Sequence, residues 1–390
     1  MTKTRIGTAT VTDGSGSTHY TIPSDANIGE NTLYSVFQEN TSYETSTDTS
    51  TMHIRVPVTV VASDVLASKG EEATFTATVK HHTSQNVNEG TVQFLLGNNN
   101  IGSPVNVVNG VATLLYEIPS NATSGSKIKA KFIQTDTYAA STSAEATLTL
   151  RKDPTVTVND LSANRNTTAT ITAQITNSNA ENINTGQCKL YIDNTQVGNA
   201  VNVSEGTVTF SYNVATNAVL GSHTIRVEYQ KNEEYNSASG TGTLIVRTPT
   251  TLTPVAVSGN KGGTVSVTIQ VKDNNNSAVT SGTVNITVGN ASPVSATVNN
   301  SGEATISYQI PANATGTIQF NGSYIENTNY QGSTTSTAGV ITVRKGTVVT
   351  VADINCVLGE QVALSATIVD ENGDPVTSGT VTFDIEPVTN

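Results

Sequence analysis

Hydrophobic and polar residues alternate along most of this chain with a period of two. In residues 72–80, Ala73, Phe75, Ala77 and Val79 share one face, and the positions between them are polar. Such alternation is typical of strands in an antiparallel sheet with one solvated face. Apolar residues do not recur at spacings of three and four, so no amphipathic helix is predicted. The pattern therefore predicts an all-β fold.

The region 57–151 contains about seven such segments, separated by polar turns. In four of them the residues expected to face the core are Val92, Phe94 and Leu96; Ala112, Leu114, Tyr116 and Ile118; Ile128, Ala130 and Phe132; and Leu148 and Leu150. About seven antiparallel strands in a segment of this length fit an immunoglobulin-like β-sandwich.

The pattern recurs, and the recurrence divides the chain. Arginines that end a strand pattern, Arg55, Arg151, Arg247 and Arg344, are 96, 96 and 97 residues apart. Three further columns keep this period: Gly90, Gly186, Gly282 and Gly379; Tyr20, Tyr116, Tyr212 and Tyr308; and Tyr43, Tyr138, Tyr235 and Tyr330. An aromatic residue lies six positions before each member of the last column: Phe37, Phe132, Tyr229 and Tyr324. The aromatic residues are therefore expected to be core residues.

This period predicts three complete Ig-like repeats, at 57–151, 152–247 and 248–344. Residues 1–56 carry only the second half of a repeat, with a strand expected from Gly14 to an inward Tyr20, and residues 345–390 carry only the first half. The joints are short, at Val56-Pro57 and its counterparts, and contain no Gly/Ser linker. Proline restricts the backbone there, so we expect repeats stacked end to end as a semi-rigid rod.

The two terminal halves leave two interpretations open. Neither half can close a sandwich by itself, because half of the strands and half of the core are missing. The chain is then either a piece of a longer array or the subunit of a head-to-tail polymer. In the polymer, the C-terminal half of one chain completes the N-terminal half of the next.

Composition excludes some classes of function. The net charge is −12, and the 19 Lys and Arg residues are scattered, which argues against nucleic acid as a partner. The opening residues, MTKTRIGTATVTDG, have no apolar stretch typical of a secretory signal, and no segment is suited to span a membrane. If the protein acts outside a cell, its signal and anchor are expected beyond this sequence.

No catalytic residue is predicted. The five histidines (His19, His53, His81, His82 and His223) fall on no shared column, whereas a repeated nucleophilic site needs a repeated base. We therefore expect neither an enzyme nor a cofactor.

No metal site is predicted either. His81 and His82 are adjacent at a strand end, so their side chains are expected on opposite faces. Asp370, Glu371, Asn372 and Asp374 resemble a calcium loop in composition, but Asn-Gly followed by Asp-Pro is first of all a turn.

Other modifications leave weaker signals. Cys188 and Cys356 lie in different repeats and are expected to be inert buried thiols, with an intermolecular bridge as the alternative. Ten Asn-x-Ser/Thr triplets occur, a number expected by chance in a Ser/Thr-rich chain; Asn121 and Asn313 share a post-strand turn that suits glycan attachment. No lysine recurs at a core column, which argues against Lys–Asn isopeptide bonds.

The motifs resemble a known family, the bacterial immunoglobulin-like repeats of long prokaryotic surface proteins. They read GTVQF, GVATLLY, KIKAKFIQTDTYAAS and ATLTL, and again GTVTFSY, HTIRVEYQKNEEYNSAS and GTLIV. The turn in IVDENGDPVTSGTVTF is similar to that of invasin-type repeats, and the Gly186 copy departs by reading GQCKLYI. The resemblance is to adhesin-like repeat proteins of archaeal and Gram-positive surfaces.

The resemblance implies an extracellular, cell-surface stalk or adhesin array with no catalytic residues. Its partners would be the neighbouring repeats. A host glycan or protein bound through the loops, or other copies of the chain, are the alternatives. Sugar binding is less expected, because the chain has no Trp and its tyrosines fall on inward columns.

Overall fold

The structure, a computed structural model, describes residues 3–386. Within that range thirty strands and no helix are present, so the predicted all-β class is confirmed. The chain divides into two compact units. The first comprises Met1–Pro154, Asn177–Ala180 and Gln230–Ala238, and the second comprises Thr155–Thr176, Glu181–Tyr229 and Ser239–Asn390.

The terminal region before residue 57 holds one hairpin of two strands, β1 (Gly29–Phe37) and β2 (Ser46–Ile54). Nine strands follow in residues 57–151: β3 (Val58–Ala62), β4 (Val65–Ala67), β5 (Glu72–His81), β6 (Thr91–Leu96), β7 (Asn99–Asn106), β8 (Val111–Glu117), β9 (Lys127–Phe132), β10 (Ser141–Thr142) and β11 (Ala146–Leu150). One sheet has the order β3-β5-β8, and the other has the order β4-β11-β9-β6-β7 with β10 paired to β9.

The core of this sandwich consists of the residues that the alternation predicts to face inward. Phe75, Phe94 and Phe132 are completely buried, and the rings of Phe75 and Phe94 meet edge to face at 6.2 Å. Leu96, at the end of its strand, is only half-buried. Burial of these apolar faces, at about 25 cal/mol per Å², is the main term that stabilises the sandwich.

The next two regions repeat this arrangement. Residues 152–247 form β12 (Thr155–Val158), β13 (Leu161–Asn164), β14 (Thr168–Thr176), β15 (Gln187–Ile192), β16 (Thr195–Asn202), β17 (Thr207–Asn213), β18 (Gly221–Tyr229) and β19 (Ala238–Arg247). Residues 248–344 form β20 (Thr250–Val255), β21 (Val257–Asn260), β22 (Thr264–Asp273), β23 (Thr283–Val288), β24 (Val294–Thr297), β25 (Glu303–Gln309), β26 (Thr317–Tyr324), β27 (Ser333–Thr334) and β28 (Gly339–Arg344). The sheet orders are β12-β14-β17 with β13-β19-β18-β15-β16, and β20-β22-β25 with β21-β28-β26-β23-β24.

One strand pair in each sandwich is parallel, so the expectation of purely antiparallel strands is wrong there. β4 pairs with β11, β13 with β19, and β21 with β28, all in parallel. The opening segment changes sheets: β3 pairs with β5, and after a short turn β4 joins the last strand in the opposite sheet. Asp64 in that turn accepts a hydrogen bond from the Thr147 amide at 2.7 Å, which fixes the crossing.

The two ends carry less structure than the full repeats. The strand expected to end at Tyr20 is absent, and Tyr20 is exposed. In residues 57–151 the corresponding strand, β8, forms by pairing with β5 of the preceding half, and residues 3–56 have no such strand to pair with. The C-terminal region likewise holds only β29 (Thr347–Val351) and β30 (Ala366–Asp370), and its GTVTF segment is not a strand. Residues 387–390 of the predicted C-terminal half, with Met1 and Thr2, lie outside the described range. The repeat boundaries themselves stay a prediction.

Candidate functional site

The glycine column lies directly against the aromatic column. Gly90, Gly186 and Gly282 have positive φ angles of 85°, 91° and 103°. A Cβ on Gly90 would stand 2.6 Å from Phe132 Cζ, and a Cβ on Gly186 would collide with the Tyr229 phenol. The two tyrosines of the column also donate hydrogen bonds from their hydroxyls, Tyr229 to the Thr185 carbonyl at 3.0 Å and Tyr324 to the Ser281 carbonyl at 2.9 Å. In each full repeat the column glycine therefore packs against the column aromatic residue. This contact holds the strand that follows the glycine, such as β15, against the strand that carries the aromatic residue, such as β18.

The second tyrosine column belongs to a recurring tight turn. The Asn327 side-chain oxygen accepts hydrogen bonds from the Asn329 and Tyr330 amides, both at 2.9 Å. The turns at Asn232–Tyr235 and Asn40–Tyr43 have the same bonds, and at Thr135–Tyr138 the threonine hydroxyl accepts from the Tyr138 amide. Asn and Thr stabilise such turns because their short side chains accept from the backbone two or three residues on. We call these four segments the Asx turns.

Three of the four strand-ending arginines, Arg55, Arg151 and Arg247, each bind the Asx turn of the following predicted repeat. Arg55 Nε donates to the Thr135 carbonyl, Arg151 Nε to the Asn232 carbonyl, and Arg247 Nε to the Asn327 carbonyl, all at 2.7 Å. The partners are 80, 81 and 80 residues apart in the chain. The Arg151 contact lies wholly within the first unit and the Arg247 contact wholly within the second.

The residue after each arginine adds a main-chain bridge. The Lys152 amide donates to the Glu234 carbonyl, and the Asn236 amide donates to the Lys152 carbonyl, both at 2.9 Å. Val56 bridges Tyr138 and Thr248 bridges Tyr330 in the same parallel geometry. We call the arginine, this bridge and the Asx turn together the joint.

Side-chain contacts support the joints. Ser68 donates to Asn236 at 2.6 Å, and the equivalent Asn164 donates to Gln331 at 2.9 Å. Arg247 also pairs with Glu326 at 3.3 Å, where the guanidinium is largely buried. The Arg151 and Arg247 joints each have four or more polar contacts and the Arg55 joint has three, with two from the backbone in every case. These contacts restrict hinge motion between a strand end and the next loop.

The histidines do not form a common site. His81 and His82 were expected on opposite faces, and that expectation is wrong: their ring centroids are 4.0 Å apart, because β5 ends at His81 and the chain turns there. His81 Nδ1 hydrogen-bonds with Thr83 Oγ1 at 2.7 Å. Among residues 3–386, no group of three or more His, Cys, Asp or Glu side chains is arranged to hold a metal ion.

His223 is held by an acidic neighbour. Its Nδ1 lies 2.6 Å from Asp193 Oδ2 and its Nε2 lies 2.8 Å from the Val219 carbonyl, so both ring nitrogens face acceptors. The hydrogen bond that His223 donates to the Asp193 carboxylate raises the pKa of His223, and the same bond lowers the pKa of Asp193. The other repeats have no histidine at this position, so the pair is a local structural contact.

The two cysteines differ. Cys188 is completely buried at the apolar column position, and desolvation raises its pKa to about 12. Cys356 was expected to be buried, but it is exposed, because it lies in the segment between β29 and β30 that forms no strand and is not packed in a core.

The acidic segment at residues 370–374 is a hydrogen-bonded turn. Asp370 accepts from the Asn372 and Asp374 amides at 2.9 and 3.0 Å, and its second oxygen pairs with Lys345 at 2.6 Å. Glu371 pairs with Lys261, also at 2.6 Å. These partners lower the pKa of both carboxyls.

Asn121 and Asn313 are exposed on matching turns after Pro119 and Pro311. No helix in the part of the chain that the structure describes is long and apolar enough to cross a membrane.

Comparisons with known proteins address the fold and one repeat. No curated protein matches the chain. Among solved structures, an I-band fragment of titin is 14% identical with a TM-score of 0.43, covering 74% of this chain and 98% of the fragment. A tetra-tandem repeat from the extending region of a large adhesion protein is 17% identical with a TM-score of 0.35, covering 85% of this chain and 86% of that one. A 1.5-MDa bacterial ice-binding adhesin is 16% identical with a TM-score of 0.32, covering 74% of this chain and 99% of that one.

The sequence model of one family matches a single predicted repeat. The matched residues, 58–151, run from the first residue of β3 to the strand-ending Arg151. The family resemblance drawn from the motifs is thereby confirmed for this segment: residues 58–151 match the bacterial Ig-like domain (group 3).

Proposed function

We propose that this chain is a structural segment of a prokaryotic cell-surface protein, a stalk or adhesin repeat array that projects a binding region from the cell. The single observation that carries this proposal is the joint. Three arginines at a constant period each bind the Asx turn of the next repeat. An array that only needed to tether a binding region could use flexible linkers, whereas repeated hydrogen-bonded joints transmit orientation from one repeat to the next.

Two further observations support a structural function. Residues 58–151 match the bacterial Ig-like domain (group 3), and the aromatic columns are occupied with packing inside the sandwiches. The histidines share no column, so the period does not repeat any base that acyl-transfer or hydrolytic chemistry would need. Partners of a stalk are its own neighbouring repeats, and its location is the outside of the cell.

Small-angle scattering of the whole chain, with Arg151→Gln and Arg247→Gln as variants, tests the stalk. A stalk predicts an elongated, stiff particle whose maximum dimension and flexibility change when the joint arginines are replaced. A particle that is flexible in the unmodified chain and insensitive to both substitutions would contradict it.

Binding of the unmodified chain to a glycan array, or capture of a protein by its loops, is the second readout. The stalk predicts no specific binding by these repeats. Specific binding that survives Arg151→Gln and Arg247→Gln but is lost on changing one loop would instead establish a glycan- or protein-binding module.

A further inference from the structure

A tight turn with the same hydrogen bond recurs in the three predicted full repeats. In each copy an alanine amide donates to the carbonyl three residues earlier: Ala122 to Pro119 at 2.9 Å, Ala218 to Ala215 at 3.1 Å, and Ala314 to Pro311 at 3.0 Å. An asparagine precedes the alanine in every copy, at Asn121, Asn217 and Asn313. We call these segments the alanine turns.

The alanine anchors the turn and leaves its two neighbours facing solvent. Ala122 is 8% exposed and belongs to the core of its sandwich, and Ala314 packs against the core of its own. Asn121 and Thr123, on either side of Ala122, are exposed, and so are the two neighbours of Ala314. An accessible asparagine and an accessible hydroxyl two residues later are the two groups that make up an Asn-x-Ser/Thr acceptor of N-linked glycans.

The middle copy keeps the turn but lacks the hydroxyl. Asn217 is exposed, as Asn121 is, but the residue two positions later is Val219. Val219 is 71% exposed, so a threonine of the same shape can replace it with little loss of packing. The chain therefore contains two complete acceptors and one matched turn in which only the hydroxyl is missing.

Five of the ten Asn-x-Ser/Thr triplets are unsuitable as acceptors because the asparagine side chain is already engaged. The side-chain oxygen accepts a hydrogen bond in Asn40, Asn202, Asn285, Asn299 and Asn321. Asn285 and Asn321 also lie in β23 and β26, strands that are paired on both sides, so a transferase cannot surround the backbone there.

Three other triplets are held in unsuitable backbone conformations. Asn166 has a φ of 60°, in the left-handed region. The Asn275 and Ser277 amides both donate to Asp273 Oδ1 at 2.9 Å, which closes that turn on itself. The serine of the Asn290 triplet directly precedes a proline, which restricts the serine to extended geometry.

Asn121 and Asn313 remain, and neither side chain makes a hydrogen bond to a residue of the described range 3–386. We propose that both are acceptor sites for N-linked glycans. Nδ2 of the asparagine attacks the anomeric carbon of a lipid-linked oligosaccharide, the bond from that carbon to the phosphate oxygen breaks, and the lipid phosphate leaves with the electron pair. The proton lost from Nδ2 passes to a base of the transferase. These sites rest on the location outside the cell proposed above, because glycans of this kind are added to exported chains.

Glycan transfer to the whole folded chain tests the two sites. The chain is incubated with a purified oligosaccharyltransferase that accepts Asn-x-Ser/Thr and with a lipid-linked oligosaccharide as donor. Mass spectrometry of the intact chain and of its proteolytic peptides gives the number and the positions of the glycans. Two glycans per chain are expected, at Asn121 and Asn313, and Thr123→Val and Thr315→Val should each remove one.

A pair of valine-to-threonine variants separates the effect of the turn from that of the triplet. Val219→Thr completes the triplet at Asn217 in an alanine turn and should add a third glycan. Val111→Thr completes a triplet at Asn109, but there the Val108 and Val111 amides donate to each other's carbonyls at 2.9 and 3.0 Å, and Asn109 has a φ of 50°. That variant should gain no glycan in the folded chain.

Short synthetic peptides are the positive control, and all of them should be modified because they are free of the fold; they span Asn109 with its new threonine, Asn121, Asn285 and Asn313. A folded chain that stays unmodified while the peptides are modified would overturn the proposal. Transfer to Asn285 at the rate of Asn121, or a gain in Val111→Thr equal to that in Val219→Thr, would also overturn it, because the fold would then not select the acceptor. Modification of only one of the two turns would contradict their shared geometry.

The outcome can be separated from that of the stalk, because the transfer assay uses purified components and depends neither on location nor on stiffness. Failed transfer, together with an elongated particle in scattering that responds to the joint arginines, would remove the acceptor sites and leave the stalk. Transfer to a chain that is flexible in scattering and insensitive to those arginines would remove the stalk and leave the acceptor sites.

Discussion

Gly186 lies against the phenol of Tyr229 so closely that a Cβ at position 186 would collide with the tyrosine hydroxyl. The glycine also has a φ of 91°, a conformation that L-residues rarely adopt. Two independent constraints therefore act at one position, which explains why a glycine recurs there at the repeat period.

Replacing Gly186 with alanine should destabilise its sandwich by about 2 to 4 kcal/mol, from backbone strain and overpacking together. Gly198→Ala is the matched control, since its φ is also positive, 67°, but nothing lies within 4 Å of its Cβ position. That control should cost about 1 kcal/mol, from backbone strain alone. Hydrogen exchange of the β15 and β18 amides measures both, and equal costs would contradict the collision with Tyr229.

The Arg247→Gln variant should loosen its joint without unfolding the repeats. It removes the hydrogen bond to the Asn327 carbonyl and the ion pair with Glu326, for a local cost of about 1 to 3 kcal/mol. Hydrogen exchange at the bridge between Thr248 and Tyr330 should accelerate, while the cores on either side stay protected. Arg344→Gln in dilute solution is the control and should change no local protection; unchanged exchange in Arg247→Gln would contradict the joint.

The His223–Asp193 pair should make stability depend on pH. The pKa of His223 is raised from 6.5, so its contribution is fully present below pH 6.5 and is lost as pH rises through the folded-state value. The pKa of Asp193 is lowered from 3.8, so its contribution is present above pH 3.8 and is lost as pH falls through the folded-state value. The pair therefore stabilises the folded chain most between pH 3.8 and pH 6.5.

The His223→Gln variant isolates this effect. The difference in unfolding free energy between the unmodified chain and the variant should be largest between pH 3.8 and pH 6.5 and should shrink as pH rises through the folded-state pKa of His223. Denaturant titrations at a series of pH values measure it. A difference that does not vary with pH would show that the two groups do not interact in the folded protein.

One thiol per chain should react under native conditions. Burial raises the pKa of Cys188 to about 12, so its thiolate is almost absent at neutral pH and the sulfur is also shielded. Cys356 is exposed and should be labelled by a maleimide in dilute solution. Mass spectrometry should find a single adduct, with a second only after denaturation. Labelling of native Cys188 at the rate of Cys356 would contradict the buried position.

The strands of the full repeats could be predicted because one solvated face imposes a period of two on residues such as Phe75 and Val79. The arginine column was visible as a period, but its partner was not. Arg247 binds a backbone carbonyl 80 residues ahead, and a carbonyl leaves no mark in the residue type. The spacing of Asn or Thr three residues before a Tyr in the Asx turns, about 80 residues after each arginine, was the signal that could have revealed it.

Other features depend on contacts that alternation does not encode. The parallel pair of β4 and β11 arises from a change of sheet after Asp64, which a strand-by-strand reading treats as one more antiparallel strand. Tyr20 follows an alternating pattern, but a strand also needs a neighbour to pair with, and none of the described residues supplies one. His81 and His82 share a side because the strand ends between them.

The parallel pairing of β4 and β11 also determines how a repeat responds to a pulling force. β4 lies near the start of its repeat and β11 at its end, and the two run in the same direction. Tension applied at the two ends of the repeat therefore slides one strand along the other and loads all their hydrogen bonds at once, instead of opening them one at a time. Because β13 with β19 and β21 with β28 have the same arrangement, each sandwich should unfold slowly when stretched along the chain.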